Sequence, residues 1–332
     1  MQRSQLSLKW LEVFQMVAQR GSVQDVAAEA GLSISTVSHH LRSLEEQLGV
    51  SLVDHSKRPM VLTTAGETFL RHIEQAMRHI RMAEQELVSG DLSTVQSLSL
   101  VLIEEFDSDI APELASILAS RMQNTKLGLY SRPSHRVFPL LRKRQLSAAI
   151  CARPLEAVPD LIEYPLLRDP YIVAMPEATD YTAQDCLAGA TSLPLLRYSR
   201  DQFIGRQIEA QLARLRIKLP NRFECDSTLS ILGLVAEGRG WAITTPSNVP
   251  RVRRLRSQVR FERFPQQGFA RFLSLFTTDE FSEDLARTIA ETMRRLIELR
   301  MVAPALEQMP WLDESFYLIA DSGLTIESET VI

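Results

Sequence analysis

The chain has 332 residues, of which 45% are hydrophobic and 23% charged, and its formal net charge is −4. This is the composition of an ordinary globular protein, which excludes a collagen-like, disordered or disulfide-rich chain. The length predicts two or three folded domains. The sequence has no apolar run of about 18 residues and an odd number of cysteines, and its first residues lack the uninterrupted apolar core typical of a signal peptide. These features predict a cytoplasmic protein without a membrane segment.

Charge alone does not point to nucleic acid. Residues 1–63 contain six basic and six acidic side chains, so their formal balance is zero. Any interaction of this segment with DNA therefore has to come from local geometry rather than from bulk charge.

Apolar residues at helical spacing predict three short helices in the first 63 residues. Ser22 and Ser33 are suitable N-caps, and glycines follow each predicted helix, where a left-handed residue can end it. The predicted order is a helix ending at Gly21, a helix over Val23–Ala30, a turn at Gly31 and a helix over Ile34–Leu48. Two helices joined by a short glycine-containing turn form a helix-turn-helix.

A short hairpin, or wing, is predicted after the third helix. The stretches Ser51–Asp54 and Met60–Thr63 flank the polar sequence Ser56-Lys57-Arg58-Pro59. The whole of residues 1–63 is therefore predicted to be a winged helix-turn-helix domain.

A long linker helix is predicted over residues 64–90, beginning at the capping box Thr64-Ala65-Gly66-Glu67. Its apolar residues alternate at spacings of four and three, which is a heptad pattern. We interpret this seam as a dimerisation surface; the alternative is that it packs on its own domain. The seam residues are Phe69, Ile73, Ala76, Ile80, Ala83 and Leu87.

The rest of the chain is predicted to be an α/β domain. Strand patterns alternate with helix patterns after residue 90, which favours a parallel sheet. We expect a domain over 91–303 with a cleft between subdomain I, about 95–159 and 268–303, and subdomain II, about 160–267. Residues 304–332 lack a clear pattern and are predicted to be a C-terminal extension or loosely packed tail.

The third helix carries short polar side chains opposite its apolar stripe. Such side chains let a helix approach base edges in the major groove, while basic residues on a wing reach phosphate or the minor groove. The alternative interpretation is a solvated helix face and an ordinary basic turn. The candidate DNA-binding residues are Ser33, Ile34, Ser35, Ser38, His39, Arg42, Lys57 and Arg58.

Residues 6–90 resemble the DNA-binding half of LysR-type transcriptional regulators. The matching residues include Ala27-Ala28-Glu29, Thr36-Val37-Ser38, Leu44–Val50 and Leu62–Gly66; in the second half, Leu234–Ile243 is similar to the family's helix-glycine-strand element. The resemblance implies a DNA-binding transcription regulator with a C-terminal domain like type 2 periplasmic binding proteins. It also implies a dimer or tetramer and contact with RNA polymerase. Ile34 and His39 depart from the family's frequent glutamine and arginine, so base preference does not carry over.

A small-molecule effector is expected in the cleft, where strand ends and helix N-termini from both subdomains converge. Because Glu105 and Asp107 flank Phe106, we hypothesise an amine-bearing effector held by ion pairing and cation–π contact. The alternative is that Asp107, Ser108 or Asp109 caps the next helix and Glu104 faces solvent. The candidate effector-binding residues are Glu105, Phe106, Asp107, Ser131, Ser134, Arg153, Asp226, Ser227, Thr228 and Thr245.

Other functions have less support in the sequence. It shows no nucleophile elbow, P-loop, Rossmann fingerprint or metal-binding pair, so neither an enzyme, a metal nor a cofactor is predicted. Cys151 and Cys225 lie near the predicted cleft, which leaves a thiol-redox-responsive regulator as the alternative. The arginine-rich run over 251–263 is interpreted as a solvated face, with a subunit contact as the other possibility.

Overall fold

The computed structural model describes residues 6–87, 95, 97–265 and 267–320. The chain forms two compact units, residues 1–90 and 91–332. Within the described part of the chain, no helix combines the length and apolarity that crossing a bilayer requires.

The first unit is a winged helix-turn-helix, as predicted. Its two strands pair antiparallel, with Val53 opposite Leu62. In chain order the elements are α1 (Leu8–Arg20), α2 (Val23–Ala30), α3 (Ile34–Leu48), β1 (Val53–Asp54), β2 (Val61–Leu62) and α4 (Thr64–Leu87).

Local capping sets these helix boundaries. The Ser22 hydroxyl accepts a hydrogen bond from the Asp25 amide at 3.3 Å, and Ser33 accepts one from the Thr36 amide at 3.1 Å. Gly31 lies between α2 and α3 with φ of +64°. Only glycine adopts this left-handed conformation without steric cost, so it permits the tight reversal between the two helices.

Glu45 on α3 fixes the wing to the helical core. Its carboxylate accepts hydrogen bonds from the backbone amides of Leu52 at 2.7 Å and Val53 at 3.2 Å. The other carboxylate oxygen lies 2.9 Å from His55 Nε2. One side chain therefore anchors both the first wing strand and the turn that follows it.

We expect Glu45→Ala to destabilise the first unit by about 1–3 kcal/mol, because two amides of the wing lose their acceptor. Urea unfolding of the full-length protein followed by circular dichroism measures the change. Glu46→Ala, at the exposed neighbouring position, is the matched control and should change stability by less than about 0.5 kcal/mol. Equal effects of the two substitutions would contradict this role for Glu45.

The residue that caps helix α4 lies one position earlier than predicted. Most of the seam residues whose side chains are described pack on the core of the same domain. Thr63, not Thr64, accepts the capping hydrogen bond from the Gly66 amide, at 3.0 Å. Phe69, Ile73 and Ile80 pack against the core of the winged helix. The alternative interpretation of the seam therefore holds for these residues. Ala76 is exposed, and the side chains of Ala83 and Leu87 lie outside the described residues.

The second unit opens with alternating strands and helices. Parallel pairing joins β3 to both β4 and β5. The elements are β3 (Ser97–Leu102), a 3₁₀ turn (Glu104–Phe106), α5 (Ala111–Arg121), β4 (Lys126–Ser131), α6 (Val137–Arg142), β5 (Ala148–Ala152) and β6 (Ile162–Pro170).

A second α/β layer follows. In it β7 pairs antiparallel with both β10 and β11, while β8 and β9 are parallel. The elements are β7 (Ile172–Pro176), α7 (Ala183–Ala188), β8 (Leu196–Tyr198), α8 (Phe203–Arg214), β9 (Phe223–Cys225), α9 (Thr228–Ala236), β10 (Ala242–Thr244), a 3₁₀ segment (Pro246–Gln258) and β11 (Val259–Arg263).

The chain then returns to the first layer. Strand β12 (Ala270–Thr277) inserts antiparallel between β5 and β6. With β13 (Tyr317–Leu318) at its edge, the described six-stranded sheet has the order β13-β6-β12-β5-β3-β4. It is mixed rather than parallel as predicted. The last elements are β12 (Ala270–Thr277), α10 (Glu283–Ile297), a π-helical turn (Glu298–Val302), α11 (Ala303–Gln308), a 3₁₀ turn (Pro310–Leu312) and β13 (Tyr317–Leu318).

The predicted boundary at residue 160 is wrong. The stretch Leu166–Met175 is divided at Tyr171 between β6 and β7, which belong to different sheets. Leu166 and Leu167 pack in the core around the six-stranded sheet, while Val173 packs in the other core. Subdomain I therefore includes 160–170, and the chain enters subdomain II at about residue 171.

The predicted C-terminal extension is folded up to residue 320 and is not a loose tail there. Leu312 and Phe316 are fully buried in the core of subdomain I. Strand β13 pairs antiparallel with β6, with Tyr317 opposite Arg168. Residues 303–320 therefore complete subdomain I. Residues 321–332 lie outside the described residues.

Candidate DNA-binding surface and effector cavity

The start of α3 presents the predicted recognition surface to solvent. Ile34 is 52% exposed, and Ser35, His39 and Arg42 are also exposed, whereas Ser38 is half-buried. The opposite face is fixed in the core by Val37, Leu41 and Leu44. The first turn of α3 is therefore available as a unit for contact with a groove.

Ser33 plays a structural part within this surface. Besides capping α3, its hydroxyl lies 2.7 Å from both the Ser35 and the Thr36 hydroxyls. The side chain is thus engaged at the helix end, which leaves Ile34 and Ser35 as its outward-facing neighbours.

The wing places two cations at an exposed turn. Lys57 Nζ lies 3.7 Å from an Asp54 carboxylate oxygen, and Arg58 donates to the carbonyls of His55 at 3.0 Å and Lys57 at 2.8 Å. Hydrogen bonds from Ser56 lower the pKa of Asp54. The turn therefore has a defined shape while its basic side chains remain exposed.

A cavity of about 310 Å³ lies between subdomains I and II. Six predicted residues line it: Glu105, Ser131, Ser134, Asp226, Ser227 and Thr228. The lining also includes residues that were not among the ten candidates, namely Ile103, Glu104, Arg132, Pro133, Ala152, Gln202, Phe203, Ile204 and Arg271. The N-terminus of α8 was a usable signal for Gln202–Ile204, because helix N-termini converge on such clefts.

Four predicted effector residues lie outside the cavity lining. Phe106 is fully buried in the subdomain I core, so its ring cannot take part in cation–π contact with a ligand. Arg153 is 2.7 Å from Glu163 and stacks over Phe272. Thr245 is fully buried, and Asp107 is not among the lining residues.

The floor of the cavity is a buried ion-pair cluster around Arg271. The guanidinium lies 2.6 Å from Glu105 and 2.9 Å from Asp169, and Arg271 is 4% exposed. Burial alone would lower the pKa of Arg271, but the charges of Glu105 and Asp169 outweigh it and raise that pKa. Two carboxylates share one guanidinium, so the cluster carries a net formal charge of −1.

Two hydroxyl residues of the lining, Ser134 and Thr228, are hydrogen-bonded to the surrounding protein. The Tyr198 hydroxyl lies 3.2 Å from Thr228 Oγ1 and 3.0 Å from Thr244 Oγ1. Burial raises the pKa of Tyr198 to about 12, so the phenol is neutral and able to donate. Ser134 accepts a hydrogen bond from the Ala152 amide at 3.1 Å. Hydrogen bonds within the protein therefore hold the hydroxyl groups of Thr228 and Ser134 in place at the cavity.

The mouth of the cavity carries a second acidic site. Glu104 lies 3.0 Å from Arg251, whose side chain is 11% exposed. Burial raises the pKa of neighbouring Asp107, although a Ser131 hydrogen bond and Arg251 oppose that shift. Arg251 is thus not part of a solvated arginine face. The N-cap of α5 is Ile110, whose own side chain makes no capping hydrogen bond.

The three cysteines differ in solvent exposure. Cys151 on β5 is fully buried, and burial raises its pKa. Burial also raises the pKa of Cys186, to about 12. Cys225, at the end of β9, is half-buried. Because the thiolate is the reactive form, the environment of Cys151 does not favour thiol chemistry.

We expect a thiol-reactive dye to label Cys225 of the native protein at least about tenfold faster than Cys151 or Cys186, since the latter two are buried. Mass spectrometry of peptides after timed labelling at pH 8 measures the order. Cys225→Ser should remove the fast phase. Fast labelling of Cys151 instead would contradict this order.

Comparisons with known proteins agree with this architecture. Residues 92–295 match the family model of the LysR substrate binding domain, and residues 8–67 match that of the bacterial regulatory helix-turn-helix protein, lysR family. The chain is 28% identical to the HTH-type transcriptional regulator BbuR of Bordetella bronchiseptica, over 72% of this chain and 74% of that protein. It is 24% identical to the DNA-binding transcriptional dual regulator OxyR of Escherichia coli, over 74% and 81% respectively.

A solved structure shares the fold. An OxyR mutant of Corynebacterium glutamicum superposes with a TM-score of 0.65 at 21% identity, covering 92% of this chain and 96% of that one. The substrate-domain match alone exceeds half of the chain, and the family consists of transcription regulators rather than enzymes. The chain therefore belongs to the LysR family of DNA-binding transcription regulators, with a helix-turn-helix followed by an effector-binding domain.

Proposed function

We propose that the protein is a sequence-specific regulator that inserts the start of α3 into the major groove and responds to an amine-bearing effector in the cavity. The observation that carries the effector chemistry is Glu105, a carboxylate on the cavity floor whose guanidinium partner is shared with a second buried carboxylate. A ligand cation supplies the charge that this cluster lacks.

The charges of the lining support the same conclusion. Glu104, Glu105 and Asp226 face Arg132 and Arg271 among the lining residues, which gives a formal balance of −1. Arg132 is exposed and donates to the Ser131 carbonyl at 2.7 Å. Phe203 is the aromatic side chain of the cavity lining. Its ring already contacts Arg206, whose guanidinium carbon lies 4.8 Å from the ring centroid, so the effector chemistry rests on the carboxylates.

Calorimetry on the full-length protein tests the effector chemistry. Primary amines, diamines and amino acids should give heat with the wild type, and Glu105→Gln should weaken that binding by at least about tenfold, because a charged partner is lost. Simple carboxylates and inorganic phosphate are the comparison ligands. If these anions bind and no amine does, the amine proposal is wrong.

We also propose that the protein acts as a homo-oligomer, with α4 contributing to the contact. The support is the exposed Ala76 on the 24-residue helix α4. Sedimentation of the wild type and of Ala76→Glu tests this. A dimer or tetramer that the substitution weakens supports the proposal, whereas a wild-type monomer at micromolar concentration refutes it.

A further inference from the structure

Three segments meet where subdomains I and II join, at residues 169–171, 245–249 and 269–271; we call this the junction. Tyr171 donates its amide to the Phe269 carbonyl at 2.9 Å, and their rings stack with centroids 4.0 Å apart. The 3₁₀ segment Pro246–Gln258 packs on both subdomains, with Val249 in the core of subdomain I and Val252 in the core of subdomain II. Any relative movement of the subdomains must therefore deform the junction.

Arg271 and Asp169 tie these segments together through side chains. They lie opposite each other on β12 and β6. The Arg271 guanidinium also donates to the hydroxyls of Thr245 and Ser247, both at 3.0 Å. Ser247 in turn donates to Asp169 at 2.7 Å. The guanidinium of Arg271, in the third segment, therefore contacts both of the other two segments.

Glu105 connects this junction to the cavity. It belongs to the 3₁₀ turn after β3, outside the junction, and its carboxylate lines the cavity. Its 2.6 Å contact uses Nη2 of Arg271, the same nitrogen that donates to Thr245 and Ser247. A change in the position or charge of Glu105 therefore changes the partners available to that nitrogen.

We propose that Glu105 is shared between ligand and junction, so that Arg271 transmits cavity occupancy to the joint between the subdomains. A cation bound at Glu105 competes for the carboxylate with Arg271 and loosens the contacts of the guanidinium with Thr245 and Ser247. Arg271 is accordingly a positioning residue. The ligand shifts the equilibrium only because its affinity differs between the two arrangements. This inference rests on the proposed amine effector.

Hydrogen exchange of the full-length protein without ligand tests the coupling directly. Glu105→Gln removes the charge that holds Arg271, and we expect the junction amides of Tyr171, Ser247 and Asn248 to exchange at least about tenfold faster. Asp226→Asn is the matched control, since Asp226 is an exposed carboxylate that also lines the cavity but lies outside the junction segments. The junction amides of this variant should change by less than about twofold.

The outcomes separate the coupling from the effector chemistry. Unchanged junction exchange in Glu105→Gln, or equal changes in both variants, overturns the coupling even if calorimetry shows amine binding. Failure of every amine to bind, with the expected exchange, refutes the effector chemistry alone. If Glu105→Gln folds poorly, Glu105→Asp takes its place, because it keeps the charge but shortens the side chain. Junction amides of Glu105→Asp that exchange at the wild-type rate would also overturn the coupling.

Discussion

Replacement of Arg271 by methionine should lower the free energy of unfolding of the second unit by about 3–5 kcal/mol, because it leaves two buried carboxylates without their countercharge. Asp169 is completely buried and Glu105 is 9% exposed, so water cannot take over the role of the guanidinium. Methionine retains much of the apolar length of the side chain, which limits the loss of packing. Chemical denaturation of the full-length protein measures the effect.

The exposed pair Arg142–Asp160 provides the control for this experiment. Its two contacts are 2.6 and 2.9 Å, comparable to those of Arg271, but both side chains are 47% exposed. Arg142→Met should therefore cost less than about 1 kcal/mol. If Arg271→Met also lowered the free energy of unfolding by less than about 1 kcal/mol, the buried cluster would not stabilise the domain as we infer.

Replacement of Ser35 by aspartate should weaken DNA binding by about 100-fold while leaving the fold intact, since a negative charge facing phosphate is repelled. Ser35 is exposed in the first turn of α3. A carboxylate at a helix N-terminus interacts favourably with the helix dipole, so the substitution should not destabilise the helix. Loss of affinity with unchanged thermal stability separates a contact role from a folding role.

Gln47→Glu adds the same charge elsewhere on the same helix. Residue 47 is exposed in α3, twelve positions after Ser35, which is about 18 Å along the helix axis. Fluorescence anisotropy with labelled operator DNA should show less than about a threefold loss for this control. If both variants lose affinity equally, the effect comes from net charge and not from insertion of the start of α3.

The winged helix was predictable because its boundaries depend on local interactions. Ser22 and Ser33 cap the helices that follow them, and Gly31 adopts the left-handed conformation that the turn needs. These features can be read within a few residues of the chain. The division of Leu166–Met175 at Tyr171 could not be read in this way, because apolar residues lie on both sides of it and both halves form strands.

The cavity was predictable in outline but not in its chemistry. Loops at the ends of β3, β4 and β5 were identified from topology alone, and Glu105 and Ser134 do line the cavity. Arg271 was missed because its partners Glu105 and Asp169 are 166 and 102 residues away in sequence. Nothing in the local pattern of β12 distinguishes an arginine that points to solvent from one that neutralises two buried carboxylates.

Footprinting of the full-length protein on the DNA upstream of its gene, at two salt concentrations and with or without the amine selected by calorimetry, tests the central claim most directly. We expect two protected half-sites about one helical turn or a multiple apart, weaker at higher salt and altered by the amine. The absence of protection even at low salt would contradict the account of α3 as a DNA-reading helix. Protection that no bound amine changes would contradict the assigned role of the cavity.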